Sequence, residues 1–143
     1  ELDIGAYMKR FDTFLYGRKT YEMILPMGNK PTRGITNYVV STTITQVAPN
    51  FKLINGNVEK EILKVKSKEG KDIAVYGGAS LLASLLNLNL VDEIHISVIP
   101  VLLGKGKPMV DVLDKKVWLT YIESKTYGNG TVQLMYKVNK AAK

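Results

Sequence analysis

The chain has 143 residues, 45% of them hydrophobic and 23% charged, with a net charge of +7, the size and balance of one globular domain around a single core. It has no cysteine and one histidine, which excludes disulfides and thiolate chemistry and leaves too few ligands for a transition-metal site. The leucine-rich stretch 81–90 is broken by Ser84, Asn87 and Asn89 and is too short to span a bilayer; with no secretory signal visible, the cytoplasm is the default location.

The positive charge raises the question of a nucleic-acid partner. Lys60, Lys64, Lys66, Lys68 and Lys71 are interleaved with Glu59, Glu61 and Glu69. Mixed signs describe a solvated helix face better than a nucleic-acid stripe, so none is expected to bind. A modest positive excess also steers a polyanionic cofactor inward.

Helix and strand signals alternate along the chain. Residues 3–11 carry Ile4, Tyr7, Met8 and Phe11 at helical spacing and predict a short amphipathic helix. A brief strand over 13–16 ends at Gly17, and a helix over 19–25 stops at Pro26. The polar stretch 28–36, with Pro31 and Gly34, predicts a surface loop. Residues 37–41 form a β-branched and aromatic strand, and 51–54 another short one before the Asn55-Gly56 turn. Val58, Ile62 and Val65 share one face of a helix over 58–68, with Gly70 placed as its C-terminal glycine.

An apolar strand over 73–76, Gly77-Gly78, a helix over 80–88 and a strand over 93–99 follow. In that last strand Ile94, Ile96 and Val98 alternate with His95, Ser97 and Ile99, which makes His95 one face of a sheet rather than a catalytic group. Strands over 118–125 and 131–138 are joined through Tyr127-Gly128-Asn129-Gly130, a strong hairpin signal. The order predicts an α/β domain that ends in an antiparallel hairpin. No repeat, linker or second domain is visible.

Three strand ends carry residues suited to an anionic ligand. At Val75-Tyr76-Gly77-Gly78-Ala79-Ser80-Leu81 a strand turns on two glycines into a helix, freeing the first helical N–H groups and letting backbone approach a phosphate. The same seven residues also describe a plain tight turn. At Tyr16-Gly17-Arg18-Lys19-Thr20-Tyr21-Glu22 a strand again ends in glycine, now with two cations in the first helical turn. Cations there oppose the helix dipole, which a negative ligand would offset; a pair of exposed surface cations is the plainer account. Ser41, Thr42 and Thr43 close a third strand, either to bind sugar or phosphate oxygens or to cap the next turn.

These segments resemble the dihydrofolate reductase superfamily. Tyr16-Gly17-Arg18-Lys19-Thr20-Tyr21-Glu22 is similar to its M-G-R-x-T-x-E segment, with Tyr16 in place of Met. Residues 72–79 resemble its Gly-Gly segment. Val91-Asp92-Glu93-Ile94, followed by Ile99-Pro100-Val101-Leu102-Leu103-Gly104-Lys105-Gly106, is similar to the reductase domain of bifunctional riboflavin-pathway deaminase–reductases. The resemblance implies a dihydrofolate reductase-like α/β fold: a mixed, mainly parallel sheet flanked by helices and closed by the C-terminal antiparallel hairpin.

It also implies NADPH as cofactor. Gly17, Arg18, Lys19 and Thr20 match residues that contact its phosphates. Ser41, Thr42 and Thr43 match those against the adenosine ribose. Gly77, Gly78, Ala79, Ser80 and Leu81 match those that hold the pyrophosphate, with Tyr76 leading into them and a cis bond between the two glycines. Residues 100–106 match a segment that shapes the substrate pocket and a homodimer.

Asp3 is the nearest match to the carboxylate that assists protonation in dihydrofolate reductases, though an acidic residue in a first helical turn is also simply stabilising. The family begins with a central strand that does not precede Glu1 here, so upstream residues are expected in the natural protein. The implied activity is hydride transfer from NADPH to a pterin or a pyrimidine riboflavin precursor, the latter as in 5-amino-6-(5-phosphoribosylamino)uracil reductases. The rival is a non-catalytic nucleotide- or nucleic-acid-binding protein on the same fold.

Overall fold

A computed structural model describes residues 4–28 and 34–140. In chain order the elements are α1 (Ile4–Met8), β1 (Phe11–Gly17), α2 (Arg18–Ile24), a 3-10 turn (Leu25–Met27), β2 (Thr36–Val40), β3 (Lys52–Ile54), α3 (Val58–Ser67), β4 (Asp72–Gly77), α4 (Ala79–Asn87), β5 (Glu93–Val98), β6 (Leu119–Thr126) and β7 (Val132–Val138).

The first four strands form a sheet in the order β3-β2-β1-β4, parallel throughout. Parallel neighbours require crossover connections, and α2 and α3 provide two of them. β1 lies inside this sheet and is covered on both sides, so Phe14, Leu15 and Tyr16 are buried in succession rather than alternately. Leu15 packs with Ile62 and Val65 of α3 and Leu81, Leu85 and Leu86 of α4. Phe11, Phe14 and Tyr16 pack on the opposite face with Tyr21, Val39 and Phe51.

The first helix is shorter than its apolar spacing suggests. Phe11 already pairs with Asp72 of β4, and Asp72 N–H donates to Arg10 O at 3.0 Å. Tertiary pairing thus ends the helix before Phe11. α3 begins where Asn57 Oδ1 accepts the Lys60 N–H, with Glu59 and Glu61 in its first turn and Lys64 and Lys66 in its last, the arrangement its dipole favours. It ends at Lys68, so Gly70 lies beyond the cap position the sequence assigned to it.

The hairpin forms, but within a sheet of its own. β5-β7-β6 is a three-stranded antiparallel unit. Its turn is closed by the Gly130 N–H on Tyr127 O at 2.9 Å, with Gly130 at φ +89°, a left-handed position that glycine fills without a Cβ penalty. Ile94 and Val138 join the core around Leu85, so the two sheets share apolar packing. β4 and β5 are each an outer strand and do not pair with one another. Both line a cavity of about 610 Å³. Among the described residues no helix is long and apolar enough to cross a membrane.

Candidate functional site

Parallel register sets three strand ends side by side. Gly17 lies opposite Val40, and Tyr16 opposite Gly77. The segments after β2, β1 and β4 therefore emerge together at the carboxyl edge of the sheet, where ligands of open α/β sheets bind. In spatial order they are Ser41-Thr42-Thr43, Gly17-Arg18-Lys19-Thr20 and Tyr76-Gly77-Gly78-Ala79-Ser80-Leu81. The three stretches singled out in the sequence are neighbours.

The two glycine turns are packed against each other. The Gly77–Gly78 peptide is cis, as the resemblance implies. A Cβ on Gly77 would meet Thr20 Oγ1 at 3.1 Å, and one on Gly17 would meet Gly77 O at 3.5 Å. Thr20 thus fills the angle between the turns. Gly78 caps α4 with no side-chain hydrogen bond, which leaves the first N–H groups of that helix without a side-chain cap. Leu81 anchors the helix in the core, and Ser80 stays exposed.

The polar side chains divide differently. Arg18 Nη1 donates to the Glu22 carboxylate at 3.1 and 3.2 Å, so the dipole argument about its charge is met by an acid one turn on. Lys19 is exposed. Ser41 Oγ accepts the Thr43 and Ile44 N–H groups at 3.2 and 3.4 Å, capping its turn, while Thr42 and Thr43 face outward. Tyr76, 53% exposed, lies tilted over Tyr16 with ring centroids 4.9 Å apart. Burial, and secondarily Tyr76, push the Tyr16 hydroxyl above its usual range. Asp3 lies outside the described residues.

The cavity between β4 and β5 runs alongside the Gly77-Gly78 turn, and part of its wall was not singled out in the sequence. Tyr7 of α1 and His95 of β5 meet there, with Tyr7 Oη 2.6 Å from His95 Nδ1. His95 Nε2 lies 2.9 Å from Glu93 Oε1. Arg10 and Met109 line the same space. His95 does occupy one face of a strand, and that face opens on the cavity. No local pattern links residue 7 to residue 95, so only the assembled fold joins them.

Residues 2–133 match the family described as the RibD C-terminal domain. The chain belongs to that family. The RibD C-terminal domains are reductase-like and stand within the dihydrofolate reductase-like superfamily, in agreement with the fold. The Bacillus subtilis (strain 168) protein YyaP, itself uncharacterized, is 34% identical over 97% of this chain and 80% of its own length. A candidate riboflavin biosynthesis protein from Shewanella sp. PV-4 superposes with a TM-score of 0.81 at 25% identity, over 98% of this chain and 81% of that one. Dihydrofolate reductase from Enterococcus faecalis, complexed with NADP(H) and RAB-propyl, shares the fold at a TM-score of 0.71 and 17% identity, covering 96% and 82% of the two chains.

Proposed function

We propose that this chain is a reductase that uses NADPH to reduce a pterin- or pyrimidine-type heterocycle. The observation that carries the reading is the meeting of the Gly17 and Gly77-Gly78 turns, backed by Thr20, at the edge of β1 and β4 and beside the cavity. The surface there fits a pyrophosphate. The missing Cβ atoms let the two turns and Thr20 pack closely, and the start of α4 offers N–H donors and a favourable field to an anion.

When bound, NADPH would supply the hydride; the chain's own tasks are to orient it and to exclude water. Gly77, Gly78, Ala79, Ser80 and Leu81 would hold the pyrophosphate. Lys19 and Thr20, with Arg18 turning from Glu22, would face the phosphates on the other side of Gly17. Ser41, Thr42 and Thr43 would flank the adenosine ribose. Tyr76 offers an exposed ring to a planar group at the cavity mouth.

A second copy of the chain is the partner proposed for the apolar surface around Leu102, which is 99% exposed, and Trp118, 71% exposed. Exposed apolar surface of this kind marks an association site.

The test is a calorimetric titration of the full chain with NADPH and, alongside, NADH. NADPH binding at micromolar strength or better is expected. Gly78→Val, checked for native circular dichroism, should weaken it about tenfold or more, the equivalent of about 1.4 kcal/mol. A folded chain that binds neither nucleotide refutes the reductase reading and leaves a repurposed scaffold.

A further inference from the structure

The cavity between β4 and β5 has two unlike ends. Arg10, Lys71 and Asp72 line it at the amino end of β4, and Tyr76, Gly77 and Gly78 at the carboxyl end. The cofactor reading above uses only the second. Residues 99–118 connect β5 to β6 without a helix or strand. Irregular loops of that length are uncommon in a compact domain, and the ordered ones usually serve a site.

The first part of this connection, residues 101–108, is exposed throughout. The second part is tied down along α4. The Asp111 N–H donates to Ala79 O at 3.1 Å, at the first residue of the helix. At the last residue of the helix, Asn87 Nδ2 donates to Val112 O at 3.4 Å and Asn87 Oδ1 accepts the Asp114 N–H at 2.9 Å. Val110, Leu113 and Val117 pack against the core. Residues 110–117 therefore form a strap held at both ends of α4.

Met109 stands where the free stretch meets the strap. Two residues of chain span at most about 7 Å, so the Asp111–Ala79 bond keeps Met109 beside the Gly77-Gly78 turn. Met109 lines the cavity, and among the described residues from 99 to 118 it alone does so. It is 53% exposed and belongs to neither apolar core. Tyr76, equally exposed, lines the cavity at the same end. An unbranched thioether adapts its shape and favours contact with an aromatic ring.

We propose that Met109 is a specificity-determining residue on the acceptor side, its thioether lying against one face of a flat heterocycle. Asn87 is the positioning residue that holds it there through the strap. The proposal rests on the reductase reading above and deepens it. A thioether offers the ring face only a weak acceptor and no donor, so selection on this side is by flatness and width. A fused two-ring acceptor covers more of Met109 than a single ring does and gains more from it.

The experiment uses the full chain saturated with NADP+, so that no turnover intervenes. Two ring probes are titrated separately, 7,8-dihydropterin and 5,6-diaminouracil. The chain has five methionines; with methyl-13C-methionine, the signal absent from Met109→Leu is that of Met109. Dihydropterin should shift this signal as it saturates the chain. Met109→Ala should weaken dihydropterin about tenfold and the smaller uracil less, with the NADPH dissociation constant unchanged. Met109→Leu, a swap that conserves volume, should keep most of the affinity. Asn87→Ala, which frees the strap, should likewise weaken dihydropterin and spare NADPH. Dihydropterin that saturates the wild type without moving the Met109 signal overturns the proposal, as does an unchanged ratio of the two ring affinities in Met109→Ala. So does failure of both rings to bind a chain that takes up NADPH. Loss of NADPH binding in the wild type refutes the reductase reading itself.

Discussion

Lys66 of α3 and Lys140 near the C-terminus both approach Asp92. Lys66 Nζ is 2.9 Å and Lys140 Nζ 3.2 Å from its carboxylate, and the same ammonium groups donate to the backbone oxygens of Leu90 and Asn89 at 3.0 Å. Burial alone would raise the pKa of Asp92, but the hydrogen bonds and charges of the two lysines outweigh it and hold the carboxyl below its ordinary value of 3.8. A depressed carboxylate stabilises the folded state fully above its unfolded value, and that contribution is lost as pH falls through the folded one. Asp92→Asn should therefore flatten the decline of stability below about pH 4 in urea denaturation series; parallel curves for variant and wild type would refute this. Exposure of the pair keeps the effect modest. Arg18 and Glu22 illustrate what can be read from residues alone. Their spacing of four is visible in the sequence, and the ion pair it allows forms. Tyr7 and His95 illustrate the reverse. Each had an ordinary local role, an apolar helix position and an alternating strand position, and their contact spans 88 residues.

At the scale of elements, signals confined to one turn or one cap carried over well. Gly17, Gly77-Gly78 and the Asn129-Gly130 hairpin are all turns in the structure, because their chemistry depends on neighbours in sequence. Boundaries moved where tertiary pairing took over, as at Phe11, which β4 draws into a strand. The destination of the hairpin was not legible either: its turn fixes the pairing of β6 with β7, whereas the pairing of β7 with β5 is set by which apolar faces meet. α3 gives a direct measure of a local signal. Its cap depends on the Asn57 side chain, 3.0 Å from the Lys60 N–H. Asn57→Ala should cost about 1 kcal/mol, read as a lower midpoint in urea with the slope unchanged; an unaltered midpoint would show that packing of Ile62 and Val65 alone sets the helix.

At the scale of the whole molecule, apolar side chains stay exposed on and beside the antiparallel sheet. Val101, Leu102 and Leu103 are exposed after β5, and Trp118, Tyr121 and Ile122 are exposed along β6. A second copy of the chain is the partner proposed above for part of this surface. Sedimentation of the full chain should give a dimer, and Leu102→Lys should shift it towards monomer at the same loading concentration. A wild-type monomer at all concentrations would remove the pairing. The family resemblance pointed to residues 100–106 for this role, while the exposure of β6 could not be anticipated from its alternation.

The division into two sheets has a consequence for how the fold comes apart. Every strand of the parallel sheet comes from residues 11–77 and every strand of the antiparallel one from 93–138, so neither depends on the other for its backbone hydrogen bonds. Side-chain packing around Ile94, Val138 and Leu85, the Lys66 clamp on Asp92, the Tyr7–His95 contact and the hydrogen bonds of residues 111–114 to Ala79 and Asn87 couple them. The C-terminal unit can thus open as a cooperative block while β1 and β2 keep their amide protons. Such an opening would carry His95 away from Tyr7 and dismantle one wall of the cavity, leaving the glycine turns intact.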